Sequence, residues 1–232
     1  IEERQGVVLV PAFAVGRTQD LLYHLNRMSK AGIVPGVRVF VDSPMATEVT
    51  QITARHFELF DDEARRTAGE SAAAGSGMQV SYTASVEESK ALNRLTGGAV
   101  IVAASGMCDG GRIRYHLRQR LSDPRTTVLF IGYQAEGTLG RRLVDGAKVV
   151  RIFGEEIAVR ATIERLDGFS AHADQGALIG WAAGSRRPPG RTWLVHGEPA
   201  ASTALAAELE ARPGWRCLVA RHPGRGGHPL VG

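Results

Sequence analysis

The feature that most limits the fold of this chain is a rhythm. Short apolar, β-branched runs recur along it, each followed by a stretch with helical spacing. Strands are expected at residues 7–13, 37–42, 99–104, 127–133, 149–153, 157–165, 192–196 and 216–220. Helices are expected at 18–29, 44–57, 86–95, 112–121, 138–144, 174–183 and 199–211. A continuous apolar strand has no polar face to offer water, so both of its faces must be covered. Such strands separated by helices define an α/β chain with a mainly parallel sheet flanked by helices. With 44% hydrophobic residues among 232, there is material for one large core or two modest ones. Two places break the rhythm. "TAGESAAAGSGMQVSY" at 67–82 is small, polar and Gly-rich and reads as a surface loop, while Gly154-Glu155 divides two alternating runs as a hairpin would.

Four strand ends share a grammar. They run into "PAFAVGRTQDLL", "DSPMATEV", "SGMCDGGRIRYHL" and "GYQAEGTLGRRL", joining strand to helix through glycines and hydroxyl residues. In a parallel sheet such joints converge on one edge, where ligands bind. Helix N-termini there carry unpaired amide donors, and glycines let the backbone come close to an anion. Arg17, Arg112, Arg141 and Arg142 add full positive charges, and the net charge of +4 leans the same way. Any one of these joints is ordinary turn chemistry; four together suggest a groove that follows a phosphate backbone. No G-x-x-x-x-G-K-[ST] or strict G-x-G-x-x-G occurs, which argues against a P-loop or Rossmann nucleotide site. Cys108 and Cys217 lie far apart without CxxC spacing, so neither a disulfide framework nor a zinc knuckle is indicated. No apolar run is long enough to suggest a membrane span, and a cytoplasmic protein is the default expectation.

One joint raises a separate question. In "GFSAHADQGALIGWAAG" Ser170, His172 and Asp174 occupy alternate positions ahead of an amphipathic helix. On extended backbone they would face one way and could handle protons together. Equally, Asp174 could cap the helix, Ser170 could close a turn and His172 could be a packing residue.

Taken in order, "VPAFAVGRTQDLL", "VDSPMA", "ASGMCDGGRIRYHL", "LFIGYQAEGTLGRRL", "GFSAHAD" and "LVHGE" resemble the β-CASP branch of the metallo-β-lactamase superfamily. These are nucleases related to the cleavage-and-polyadenylation endonuclease and to RNase J. The resemblance implies a β-CASP domain over residues 1–158, followed by the carboxyl-terminal part of a metallo-β-lactamase αββα fold over 159–232. It implies that His172, in the family's motif B, assists phosphodiester cleavage as a general acid or phosphate contact. It implies that His196, in motif C, is a ligand of one of two active-site zinc ions. A histidine rather than valine in motif C is similar to the members that cut RNA, so single-stranded RNA is the expected partner. Arg17, Ser43, Ser105, Gly106, Arg112, Thr138 and Ser170 are the expected phosphate contacts, with Asp174 a cap or a partner supporting His172. A homodimer is the assembly that the family allows.

The family's H-x-H-x-D-H run, its early metal-binding histidine, its bridging aspartate and its acidic motif A are not found in this sequence. The chain opens where the β-CASP insert opens and has no initial methionine, so the expectation is the carboxyl-terminal portion of a longer zinc ribonuclease, silent on its own. Asp42 is expected to serve the turn before Pro44 rather than a metal. His24, His56 and His116 are expected on helix faces towards solvent or a neighbouring helix, His222 and His228 in the Gly/Pro-rich tail, and Cys108 in packing. Two other readings compete: a non-catalytic RNA-binding subunit of the same family, and a doubly wound domain holding a nucleotide or phosphorylated metabolite. Intact "FSAHAD" and "LVHGE" weigh against the first, and the second would require a closed pocket rather than an open basic groove and a preference for a small ligand over oligonucleotides.

Overall fold

The computed structural model describes residues 5–66, 78–169 and 172–220. The chain divides into two compact units, residues 1–170 and 171–232. The first holds strands β1 (Val7–Pro11), β2 (Arg38–Val41), β3 (Gln79–Tyr82), β4 (Ala99–Ala103), β5 (Thr127–Phe130), β6 (Val149–Ile152), β7 (Glu155–Ala158) and β8 (Thr162–Arg165). Its helices are α1 (Arg17–Lys30), α2 (Pro44–Arg55), α3 (Val86–Ala91), α4 (Ile113–Arg120) and α5 (Leu139–Val144).

Six strands form one sheet in the order β3-β2-β4-β1-β5-β8, and every neighbouring pair is parallel. The reason lies in the central sequences. All five residues of β4, AVIVA, are buried, and β1 opposite it reads VVLVP. In register, Leu9 lies beside Ile101 and Val10 beside Val102. Alternation then sends Leu9 and Ile101 to one face, where they pack with Phe130, Ile113, Leu117, Leu121 and Leu143. Val10, Val100 and Val102 go to the other face, with Val39, Val41, Leu21, Leu22 and Ala46. Each of the Val, Leu, Ile and Phe side chains among them contributes roughly 1.5–3 kcal/mol by leaving water. The sheet is therefore covered by α1 and α2 on one side and by α4 and α5 on the other.

Two expectations need correction. The segment read as a loop at 67–82 contains β3, hydrogen-bonded along β2 from Gln79 to Tyr82. An edge strand has one neighbour only and needs no two-sided apolar run, so its polar, partly exposed sequence hid it. The single strand expected at 157–165 is two. β7 pairs with β6 as an antiparallel hairpin, whose turn residues Phe153 and Gly154 both have positive φ (52° and 84°). The chain then crosses to the main sheet through Arg160 and Ala161, whose amides both donate to the Leu121 carbonyl at 2.8 and 2.9 Å. β8 thus completes the sheet of the first unit.

The second unit contains α6 (Gln175–Ala183), β9 (Thr192–Leu194), α7 (Pro199–Glu210) and β10 (Cys217–Val219). β9 and β10 pair in parallel, Cys217 beside Thr192. Ala182 and Leu209 are buried, whereas Leu178, Trp181, Trp193, Val195 and Leu218 are exposed. No helix among the described residues is long and apolar enough to cross a membrane.

Candidate functional site

Because all six strands of the main sheet run the same way, their carboxyl ends meet on one edge. α1 leaves β1 towards β2, and α4 leaves β4 towards β5, on opposite faces of the sheet. β1 and β4 are neighbours, and each connection leaves across the other strand on its own face, so the loops after them pass close beside one another at the carboxyl edge. The two loops touch closely there. The Ala12 amide donates to Ala103 at 3.1 Å, and a Cβ on Gly106 would sit 2.9 Å from the Phe13 ring. At Gly111, φ is +72° and a Cβ would fall 2.0 Å from the Ala104 carbonyl oxygen, so only glycine fits.

The residues expected to contact phosphate come together at this edge, Ser170 excepted, which lies outside the described residues. Most have local duties as well. Arg17 opens α1 and pairs with Asp20 at 2.8 Å. Ser43 is buried and caps α2, its Oγ accepting from the Ala46 amide at 3.3 Å. Thr138 caps α5, accepting from the Arg141 amide at 3.1 Å while donating to the Ala135 carbonyl at 2.7 Å. Ser105 Oγ exchanges hydrogen bonds with the backbone of Gly110 at 3.2 and 3.3 Å. The Gly106 carbonyl accepts from Gln134 Nε2 at 2.9 Å.

Arg112 carries the largest surprise. Its Nη1 donates to Asp42 Oδ1 at 2.8 Å and its Nη2 to the Ala84 carbonyl at 2.9 Å, with the side chain 21% exposed. A phosphate there would meet a cation already held by an internal carboxylate. Asp42 is not merely a turn residue: it is fully buried at the end of β2 and gathers four donors. Ser89 Oγ donates to Oδ2 at 2.6 Å, His116 Nε2 lies 2.6 Å from the same oxygen, and Thr83 Oγ1 joins Arg112 on Oδ1. Burial pushes the Asp42 carboxyl up, but bonds from His116, Ser89, Thr83 and Arg112 outweigh it and hold the group well below the usual carboxylate range. A carboxylate only accepts, so His116 Nε2 carries the proton between them. His116 is buried rather than facing solvent, and its Nδ1 lies 3.3 Å from Asn93 Oδ1. Sequence reasoning missed this cluster. The available signal was Arg112 and His116, four residues apart on one helical face.

The second unit carries the two histidines singled out by the motifs. His172 lies just ahead of α6 and is exposed. Asp174 caps α6, its Oδ1 accepting from the Ala177 amide at 2.8 Å. His196 follows β9, exposed and with φ +70°, a left-handed conformation that is uncommon outside glycine and in which Asn, Asp and His are the enriched exceptions. A zinc ion needs three or four ligands converging within about 2.0–2.3 Å. Among the described residues no three His, Cys, Asp or Glu side chains gather in that way. His196 therefore stands outside any three-ligand cluster of the described residues.

A six-stranded parallel sheet flanked by helices on both faces defines an α/β class of protein. Comparison with known families makes it specific. Residues 18–143 match the Beta-Casp domain, and residues 156–220 match the Zn-dependent metallo-hydrolase RNA specificity domain. The chain belongs to the β-CASP family of metallo-β-lactamase-type nucleases. It is 41% identical over 209 residues to Ribonuclease TTHA0252 of Thermus thermophilus, covering 89% of this chain and 47% of that protein. It is 32% identical over 216 residues to the transcription termination factor FttA of Methanosarcina mazei (89% and 33%). It is 28% identical over 216 residues to an RNase J-like protein of Methanocaldococcus jannaschii (93% and 48%). The chain thus spans about a third to a half of the length of these relatives.

Proposed function

We propose that this chain grips single-stranded RNA along the carboxyl edge of its six-stranded sheet and contributes His172 and His196 to phosphodiester hydrolysis by a binuclear zinc ribonuclease. The observation that carries the reading is the convergence of Arg17, Ser43, Ser105, Gly106, Arg112 and Thr138 on that one edge. The starts of α1, α2, α4 and α5 bring the partial positive charge of their helices to the same edge. Names borne by relatives, a ribonuclease and a transcription termination factor, fit an RNA substrate.

In this reading His172 is the proton donor to the departing oxygen, a role suited to an imidazole exposed to the substrate. Asp174 keeps the start of α6 ordered behind it. His196 is the metal ligand, and zinc when bound supplies Lewis-acid and hydroxide chemistry. One histidine cannot hold two metals, so the chain by itself binds RNA without cutting it. The same reading places the protein in the cytoplasm, with a homodimer as its assembly.

The test is binding of a fluorescent oligoribonucleotide and its DNA counterpart to the purified chain across a salt series. Tighter binding of RNA, weakening steadily with salt, is expected from backbone contacts. Failure to bind RNA at low salt, or equal affinity for a mononucleotide, would overturn the proposal.

A further inference from the structure

The β6–β7 hairpin stands out from the packing around it. Its base is fixed at the far end of α4, where Arg160 and Ala161 bond to Leu121. It then runs back along α4, held by Arg118, whose Nε and Nη2 grip Glu155 at 2.8 and 2.7 Å. Its tip accordingly reaches the first turn of α4, the end that starts from the carboxyl edge of the sheet. There Phe153 lies 4.6 Å from the Tyr115 ring at an interplanar angle of 35°, and the Arg114 guanidinium sits 4.4 Å above the Phe153 ring. Neither ring is put away: Phe153 is 42% and Tyr115 56% exposed.

The turn itself is an odd place for a phenylalanine. With φ +52° at Phe153 and +84° at Gly154, it has the two positive φ values of a type I′ turn, whose first position favours Asn, Asp or Gly. A bulky side chain there costs stability and, half exposed, recovers little of it by burial. The hairpin's acids are answered locally, Glu155 by Arg118 and Glu156 by Arg151 at 3.0 Å. Arg114 leaves the tip with an excess positive charge. Two partly exposed aromatic rings with an arginine, beside an edge built for phosphates, have the composition of a stacking platform for single-stranded nucleic acid.

We infer that Phe153, Tyr115 and Arg114 form a base-stacking subsite that receives an unpaired base of the RNA whose backbone follows the sheet edge. This rests on the proposed RNA-gripping function and adds a base contact to it. The phosphate residues would hold the strand regardless of sequence, and the platform would fix one nucleotide against a ring.

Phe153→Asn separates this role from a structural one. Asparagine is preferred at this turn position, so the variant is expected to unfold at a higher temperature than the parent chain. It should nevertheless bind a single-stranded oligoribonucleotide on the order of tenfold more weakly. Phe153→Trp should retain affinity. With 2-aminopurine placed at successive positions of the oligonucleotide, one position should be quenched on binding to the parent chain and not to Phe153→Asn. Replacing that nucleotide by an abasic one should erase the difference between the two proteins. Parent-like affinity of Phe153→Asn, or an equal loss for the abasic strand, overturns the subsite while leaving the RNA-gripping function in place. Absence of RNA binding by the parent chain overturns both.

Discussion

Replacing Asp42 by asparagine removes one charge from a buried side chain that accepts four hydrogen bonds. Asp42 has no solvent exposure and accepts from Thr83, Ser89, Arg112 and His116. An asparagine in the same place offers one acceptor oxygen and turns an NH2 group towards two of those donors. Ser89 can rotate its hydroxyl to accept instead, and His116 can change the nitrogen that carries its proton. Arg112 has no such remedy, because guanidinium has no acceptor and its partly buried end loses its counter-charge. Breaking a buried pair from one side costs about 3–5 kcal/mol. For a chain of this size each kcal/mol lowers the melting temperature by roughly 2–4 °C, so a fall of roughly 6–20 °C is expected. Urea denaturation followed by circular dichroism measures the loss directly. A cycle with Arg112→Leu isolates the pair, and a coupling of about 0.5–3 kcal/mol is expected. A loss below about 1 kcal/mol for Asp42→Asn, or strict additivity in the cycle, would refute the assignment of Asp42 as the buried hub.

Two further outcomes follow from the same edge. The Asp42 carboxyl is held below its ordinary value of 3.8, so its contribution is fully present above that pH and is lost as the pH falls through its lower folded value. Acid titration of stability should therefore fall more steeply below about pH 3.8 in the parent chain than in Asp42→Asn, and parallel curves would contradict it. Gly111→Ala would drive a Cβ into the Ala104 carbonyl at a positive φ and should cost at least about 2 kcal/mol by thermal unfolding. Its neighbour Gly110 has open space, so Gly110→Ala should change stability by about 0.5 kcal/mol or less.

The central sheet was legible because β1 and β4 are unbroken apolar runs, a pattern that leaves a parallel, doubly covered strand as the natural reading. The convergence of Ser43, Ser105, Gly106, Arg112 and Thr138 followed from that topology alone. β3 was hidden because an edge strand can be polar, and the split between β7 and β8 because alternation continues through both. Asp42 was misread for a different reason. A carboxylate ahead of Ser43-Pro44 looks local, and its partners Thr83, Ser89, Arg112 and His116 come from three other segments. Spacing along the chain records pairs on one helix, such as Arg112 and His116, but not which distant strand end they will meet. Phe153 was passed over because the hairpin was recognised by its glycine, and a ring at a turn tip carries no periodic signal.

The strand order also dictates how the sheet can be made. β1 and β2 are never neighbours; β4 lies between them and pairs with both, Val7 and Arg38 each lying beside Ala99. Until Ala99–Ala103 is in place, β2 and β3 can form a two-stranded ribbon, but neither of the strands that flank β1 in the sheet, β4 and β5, has been made. Long-range closure must be paid for in chain entropy before the central contacts reward it. On a ribosome, β1 therefore waits for its sheet neighbours while residues through β4 are made, and its apolar VVLVP segment must be kept from other partners in the meantime.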